Sequence, residues 1–175
     1  MKYSQEDILV DQGKRIKFQN KLINKYNMPL VVIRIIYPGV NKDNEITEDI
    51  IRKIDEIATC ILNGKIHFKL FRITAEGPMV IMIVNKSRFS LKKSMVEIEE
   101  KHMLGRCVKI SVYDTEGNPV TRRQIGYENR KCGICNGDAK TCAENGSHSE
   151  KSIIEYIINT HRTFIGSPEI NEYNV

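Results

Sequence analysis

Apolar positions along the chain repeat with two periods, and the changes between them mark out its elements. Residues from Ser4 to about Tyr26 predict a helix, with Ser4 able to cap it and Asp7 three residues on, a short variant of the capping box. Pro29 to Tyr37 is dense in β-branched residues and closed by Pro38-Gly39, which predicts a buried strand. Ile50, Ile51, Ile54, Ile57, Ala58 and Ile61 then recur at helical spacing behind Thr47 as cap, with Gly64 as the stop. Two strands follow, Ile66 to Ile73 and Met79 to Val84, separated by the turn residues Glu76-Gly77-Pro78.

The stretch from Glu97 to Tyr113 organises the rest. Leu91, Met95 and Ile98 fall on one helical stripe capped by Ser87 or Ser90, which puts Glu97, Glu99 and Glu100 near the polar side. His102 closes the segment, and Gly105 is expected to stop the helix in a left-handed conformation. From Cys107 the period becomes two: Val108, Ile110 and Val112 face one way, and Cys107, Lys109, Ser111 and Tyr113 the other. A strand leaving a Gly-Arg turn with a polar face suits a phosphate site; the same pattern also serves an ordinary helix-strand connection. Beyond Tyr113, Thr115 to Asn118 predicts a hairpin turn into a strand from Pro119 to Ile125 that carries Arg122 and Arg123. Ser149 caps a last helix, about 149–165, with Ile153, Ile154, Ile157 and Ile158, and the tail from Ser167 to Val175 is expected to be loose. Helices alternating with strands predict one α/β (α+β) domain over 1–175, built on a mixed β-sheet flanked by helices.

Composition narrows the function classes. At 175 residues the chain can bury a core without disulfides, and its 41% apolar share is that of an ordinary globular protein. A net charge of +5 is compatible with a polyanionic ligand or an acidic partner, and equally with a solvated basic surface. No apolar run reaches membrane-spanning length and the first residues hold no signal-peptide core, so no membrane partner is expected. Five cysteines, three of them bunched, argue for a reducing cytoplasm and against a disulfide framework.

The bunched cysteines are the most specific local signal. Cys132, Cys135, Cys142 and His148 are spaced C-x2-C-x6-C-x5-H within a knuckle at about 130–148. Two thiolates on a tight turn, a third sulfur and an imidazole can surround one zinc ion tetrahedrally. Gly133 and Gly137 would ease the backbone, and nothing else there can build a core, so the ion would be structural. Reduced thiols without a metal are the alternative. The knuckle has no aromatic residues on which bases could stack and the chain has no Trp, which disfavours a nucleic-acid polymer.

Taken in order, several of these segments resemble one family. They are Pro29-Leu30-Val31 with Pro38-Gly39, Lys42-Asp43, Gly77-Pro78, Glu97 and Glu99 followed by His102 and Leu104-Gly105-Arg106, Glu116-Gly117, Arg122-Arg123 and the whole knuckle. From about Ile8 to Ile158 the chain resembles the apo-citrate lyase phosphoribosyl-dephospho-CoA transferases, or citrate lyase holo-acyl-carrier-protein synthases. The resemblance implies a nucleotidyltransferase-like fold and reaction. Triphosphoribosyl-dephospho-CoA would be attached to a serine of the acyl-carrier subunit of citrate lyase, releasing pyrophosphate. It implies Arg15, Gly105, Arg106, Arg122 and Arg123 as substrate-binding residues, with Glu97, Glu99 and His102 handling protons beside Lys109 and Ser111. His102 could instead cap its helix, and Arg122 and Arg123 could be an exposed hairpin pair.

The chain also departs from the family pattern. An Asp-x-Asp pair suited to magnesium follows the Gly-Arg turn in the family; here Lys109 and Ser111 stand there. The family's Arg-Asp/Glu-x-Arg in the first helix is reduced to Arg15 behind Gln12, Gly13 and Lys14; Met103 replaces a proline, and Glu144 an arginine. Either Lys109 supplies charge in place of magnesium, or the chain is a catalytically degenerate member that binds the precursor or a carrier without transfer.

Overall fold

The computed structural model describes residues 3–167, so all but the first residue of the expected loose tail lies outside it. The first helix, α1 (Gln5–Tyr26), starts in a full capping box: Ser4 Oγ accepts the Asp7 N–H and Asp7 accepts the Ser4 N–H. It ends at Asn27, whose φ of 48° is left-handed. Strand β1 (Leu30–Ile35) leads to α2 (Glu45–Ile61), then to the hairpin of β2 (Ile66–Thr74) and β3 (Gly77–Val84), and on to α3 (Arg88–Lys101). Asn44, not Thr47, caps α2; Thr47 sits three residues in and completes the box from the other side. Ser87 caps α3. A 3-10 turn over Met103–Cys107 delivers β4 (Val108–Tyr113), and after a long irregular stretch come α4 (Ala139–Glu144) and α5 (Glu150–Gly166).

The four strands lie in the order β2-β3-β1-β4. The expected flanking helices are present, but among the described residues every strand pair is antiparallel, so the sheet is not mixed. The reason is the hairpin. It folds β3 between β1 and β2, so the two strands joined through α2 run the same way without touching. This is the β-α-β-β-α-β order of a split βαβ unit.

The sheet is covered on both faces. Val31, Ile33 and Ile35 of β1, with Val80, Met82 and Val84 of β3 and Val108, Ile110 and Val112 of β4, pack against α2, α3 and α5. Leu30, Val32, Met79, Ile81 and Ile83 pack against Leu22 and Ile23 of α1. Arg34 is the one residue of β1 that is not fully buried. Among the described residues no helix is long and apolar enough to cross a membrane.

The strand expected over Pro119–Ile125 is absent. Only a bridge from Tyr113 to Pro119 and one hydrogen bond from Val120 N–H to the Val112 carbonyl (2.8 Å) continue the sheet. Thr121 N–H then donates to Gln124 Oε1 at 2.7 Å, and the chain curls into a 3-10 turn at Arg123–Ile125. Pro119 has no N–H to extend the ladder, and the local Thr121–Gln124 turn is satisfied in its place.

Candidate functional site

Strand β4 is the edge of the sheet, and side chains occupy its outward groups. Glu99 Oε1 accepts the Ile110 N–H at 2.9 Å, Lys92 Nζ donates to the Ile110 carbonyl at 3.4 Å, and Arg130 Nη1 donates to the Val108 carbonyl at 2.6 Å. Lys92 and Glu99 reach this edge because α3 packs directly on β4, seven residues apart on one face. Glu99 is 4% exposed and also pairs with Arg122 (2.5 Å) and Arg130 (3.4 Å); Arg122 pairs with Glu100 as well. Burial depresses the Lys92 ammonium pKa, partly offset by Glu99.

Outside this edge lies a cavity of about 730 Å³, between β4, the knuckle and α5. Glu99, Arg106, Lys109, Ser111 and Arg122 of the expected site line it, as do Cys132, Cys142 and His148. Seven lysines and arginines against two glutamates make it a cationic space. Arg106 donates to Asn136 Oδ1 at 2.6 Å, tying the Gly-Arg turn to the knuckle. Arg123 does not join Arg106 and Arg122 there; it lines a separate shallow depression with Tyr127 and Asp138. Glu97 is half-buried and is not part of the lining. His102 sits away from the cavity: its Nδ1 accepts the Leu104 N–H at 3.1 Å and its ring packs edge-on against Phe164, 5.4 Å between centroids. Desolvation lowers its pKa and favours the neutral, accepting imidazole.

Gly105 has another role than a left-handed stop, since the helix ends at His102 in an extended conformation. A Cβ on Gly105 would stand 2.8 Å from the Glu99 carbonyl and closer still to that of Ile98. Only glycine lets the turn press against the end of α3 and carry Arg106 to the cavity wall.

The knuckle closes as its spacing implies. One donor atom from each of Cys132, Cys135, Cys142 and His148 lies within 4.8 Å of every other, with Cys132 Sγ to His148 Nε2 at 3.3 Å and Cys135 Sγ to Cys142 Sγ at 3.4 Å. Tetrahedral zinc at about 2.3 Å from sulfur sets its ligands roughly 3.8 Å apart, so the donor set fits such an ion with no position left for water. Burial pushes the Cys132 thiol up, but the N–H groups of Cys135 and Ile134 and the neighbouring thiols outweigh it and bring it to about 7. Between the first two cysteines and the third, the left-handed residue is Asn136 (φ 57°), not Gly133 or Gly137. Gly133 instead makes room for Tyr156, whose ring atoms would stand 2.6–2.7 Å from a Cβ there, and so seats the knuckle on α5.

The α1 side of the sheet carries a second group of charges that sequence reasoning missed apart from Arg15 and Lys109. Glu76, 6% exposed, takes Arg15 Nε and Nη2 at 2.8 and 3.0 Å and Arg34 Nη1 at 3.0 Å. Arg34 lies directly across from Lys109 in the β1–β4 pairing, and Val32 across from Ser111. The signal available was Arg34 itself, a lone charge inside an apolar strand. At positions 109 and 111 of β4, Lys109 offers a cation and Ser111 one neutral oxygen, with Arg34 alongside, in place of the carboxylates that favour magnesium.

The family model described as apo-citrate lyase phosphoribosyl-dephospho-CoA transferase matches residues 3–164. A probable apo-citrate lyase phosphoribosyl-dephospho-CoA transferase of Vibrio cholerae serotype O1 is 26% identical over 159 residues, covering 88% of this chain and 89% of that protein. Apo-citrate lyase phosphoribosyl-dephospho-CoA transferases of Escherichia coli O1:K1 and O7:K1 are 28% and 29% identical, each over 81% of this chain and 79% of the relative.

Proposed function

Since the chain belongs to the apo-citrate lyase phosphoribosyl-dephospho-CoA transferase family, we propose that it attaches the triphosphoribosyl-dephospho-CoA prosthetic group to a serine of the citrate lyase acyl-carrier subunit. The observation that carries this reading is the cationic cavity beside β4, whose 730 Å³ lies within the range of roughly 300–1,000 Å³ typical of small-molecule sites. The carrier serine Oγ attacks the α-phosphorus of the triphosphate. A new P–O bond forms, the bond to the bridging oxygen breaks, pyrophosphate leaves with the electron pair, and the serine proton passes to solvent water. Charge develops on that leaving group, so catalysis of this class rests chiefly on positioned cations. Arg106 and Lys109, both on the cavity wall, bind the phosphates, and Ser111 donates its hydroxyl beside them. Glu99 is a positioning residue: its oxygens are occupied by Ile110, Arg122 and Arg130, and it acts by holding the edge strand and the two arginines. Gly105 sets the Gly-Arg turn.

Cys132, Cys135, Cys142 and His148 would hold zinc in the knuckle, and the ion would supply structure by pinning one wall of the cavity. The test is direct. Purified protein, the carrier subunit and the triphosphoribosyl precursor are mixed in EDTA or in magnesium, and the carrier is weighed by mass spectrometry. The expected result is a carrier heavier by one prosthetic group, abolished by changing the acceptor serine to alanine. Precursor binding without any adduct in either buffer overturns the transferase reading and leaves a binding protein.

A further inference from the structure

We propose that the cations gathered around Glu76, namely Arg15, Arg34, Lys42 and Lys109, form a binding site for a di- or triphosphate chain that operates without a divalent metal. Only the identity of the natural ligand rests on the transferase reading.

Charge balance is the first support. Among the described residues Glu76 is the single carboxylate hydrogen-bonded to this group, and its two oxygens already accept three bonds from Arg15 and Arg34. Arg34 and Lys109 stand directly opposite each other on adjacent strands, an arrangement of like charges that destabilises a sheet unless something compensates it. Lys42 comes close through the turn: a Cβ on Gly77, next to Glu76, would meet Lys42 Cβ at 2.9 Å. The ammonium pKa values of Lys42 and Lys109 are both lowered, first by desolvation and then by Arg34, so both lysines favour an arriving anion.

The number of donors is the second support. Gln19, 4% exposed, accepts from Arg15 Nη1 through Oε1, while its Nε2 is the one buried side-chain nitrogen or oxygen without a partner among the described residues. Arg34, Lys42 and Lys109, gathered beside Glu76 and Arg15, together ask for several anionic oxygens, which a phosphate chain provides in a row. Lys109 and Ser111 also line the 730 Å³ cavity, so phosphates at Arg34 and Lys109 remain continuous with the space for the rest of the ligand. In this chain the positive charge that magnesium would bring is built into the protein.

Isothermal titration with inorganic tripolyphosphate and with pyrophosphate, in EDTA, tests the inference. One site per chain is expected, with affinity falling as salt rises and unchanged when magnesium replaces EDTA. Arg34→Met and Lys109→Met should each weaken binding at least tenfold, while Lys101→Met, which removes an equal charge from an exposed helix end, should not. Lys109 is exposed and has no hydrogen bond among the described residues to lose, so its variant reads binding even if Arg34→Met fails to fold. Absence of binding in EDTA, or equal affinity in all three variants, overturns the inference. It stands without the transferase if tripolyphosphate binds as expected and no carrier adduct forms. If Arg34→Met and Lys109→Met transfer the group at wild-type rate, the inference falls together with the phosphate role given to Lys109, and the transferase reading stands.

Discussion

The backbone N–H of Ile110 donates to Oε1 of Glu99 at 2.9 Å, so a carboxylate from α3 takes the place that a fifth strand would occupy at the edge of β4. Around it Arg122 and Arg130 pair with Glu99 while Lys92 donates to the Ile110 carbonyl, a buried network in which one acid anchors two cations and a strand. Removing one member of such a network leaves the others desolvated and unpaired. Glu99→Ala should therefore lower unfolding free energy by about 3–5 kcal/mol. Glu99→Gln should cost less, because an amide oxygen can still accept from Ile110. Urea denaturation of the two variants measures both, and equal stability to the wild type would remove the network from the account of the site.

Gly105→Ala separates close packing from backbone conformation. The added methyl would press on the Ile98 and Glu99 carbonyls, which belong to the helix backbone and cannot swing away. The expected loss is roughly 3 kcal/mol or more, at the upper end of overpacking. A left-handed stop would predict only about 1 kcal/mol, so thermal denaturation tells the two apart.

Much of this architecture could be read from the chain. A dense β-branched run located β1, turn residues separated β2 from β3, the change to period two located β4, the isoleucine stripe located α2, and the C-x2-C-x6-C-x5-H spacing assembled all four knuckle donors. What escaped was set by pairing between distant residues. In sequence Glu76 reads as turn chemistry, yet its carboxylate is the hub for Arg15, 61 residues earlier, and Arg34, 42 residues earlier. The antiparallel sheet also escaped, because alternation of helices and strands does not say that a hairpin will insert β3 beside β1. Arg122 and Arg123 are neighbours in sequence, but the 3-10 turn that begins at Arg123 sends them to different surfaces.

The knuckle should bind about one zinc per chain, measured by elemental analysis of reduced protein. Chelation should loosen the segment from Cys132 to His148 and free Tyr156 from its seat on Gly133, seen as a change in tyrosine fluorescence while the sheet's far-UV signal persists. Affinity should fall as pH drops, since each ligand must lose its proton to bind. Cys142→Ser should lose the metal. Freshly purified, reduced protein without zinc would sink this assignment.

His102 gives the fold a pH dependence of known sign. Desolvation holds its pKa below the ordinary 6.5, and its neutral Nδ1 accepts from Leu104 N–H. Below pH 6.5 the unfolded chain therefore binds more protons at this residue than the folded chain. The stability it contributes is full above 6.5 and is lost as pH falls towards the lowered value. His102→Asn keeps a side-chain acceptor and removes the titration. Unfolding free energies at about pH 5.5 and 7.5 should differ less in this variant than in the wild type; an equal difference would assign the slope to other groups.

Restoring two carboxylates to β4 tests how the site handles charge. Positions 109 and 111 lie on the same face of the strand, two residues apart, so Lys109→Asp with Ser111→Asp would set a pair of carboxylates side by side as a divalent ion requires. In this chain, however, the carboxylate introduced at position 109 would face Arg34, and Arg15 would remain a short distance away on Glu76. A guanidinium directly opposite competes with magnesium for the same oxygens. The double variant should therefore gain an ion pair and little magnesium affinity, with transfer lower than wild type in either buffer. Adding Arg34→Ala removes the competitor, and that triple variant should bind magnesium and transfer the prosthetic group only when magnesium is present. Titration of magnesium into the three proteins, followed by carrier mass measurement, reads both effects. If the double variant already depends on magnesium as strongly as the triple, Arg34 does not share the site with Lys109, and charge supplied by the protein is not what replaced the metal.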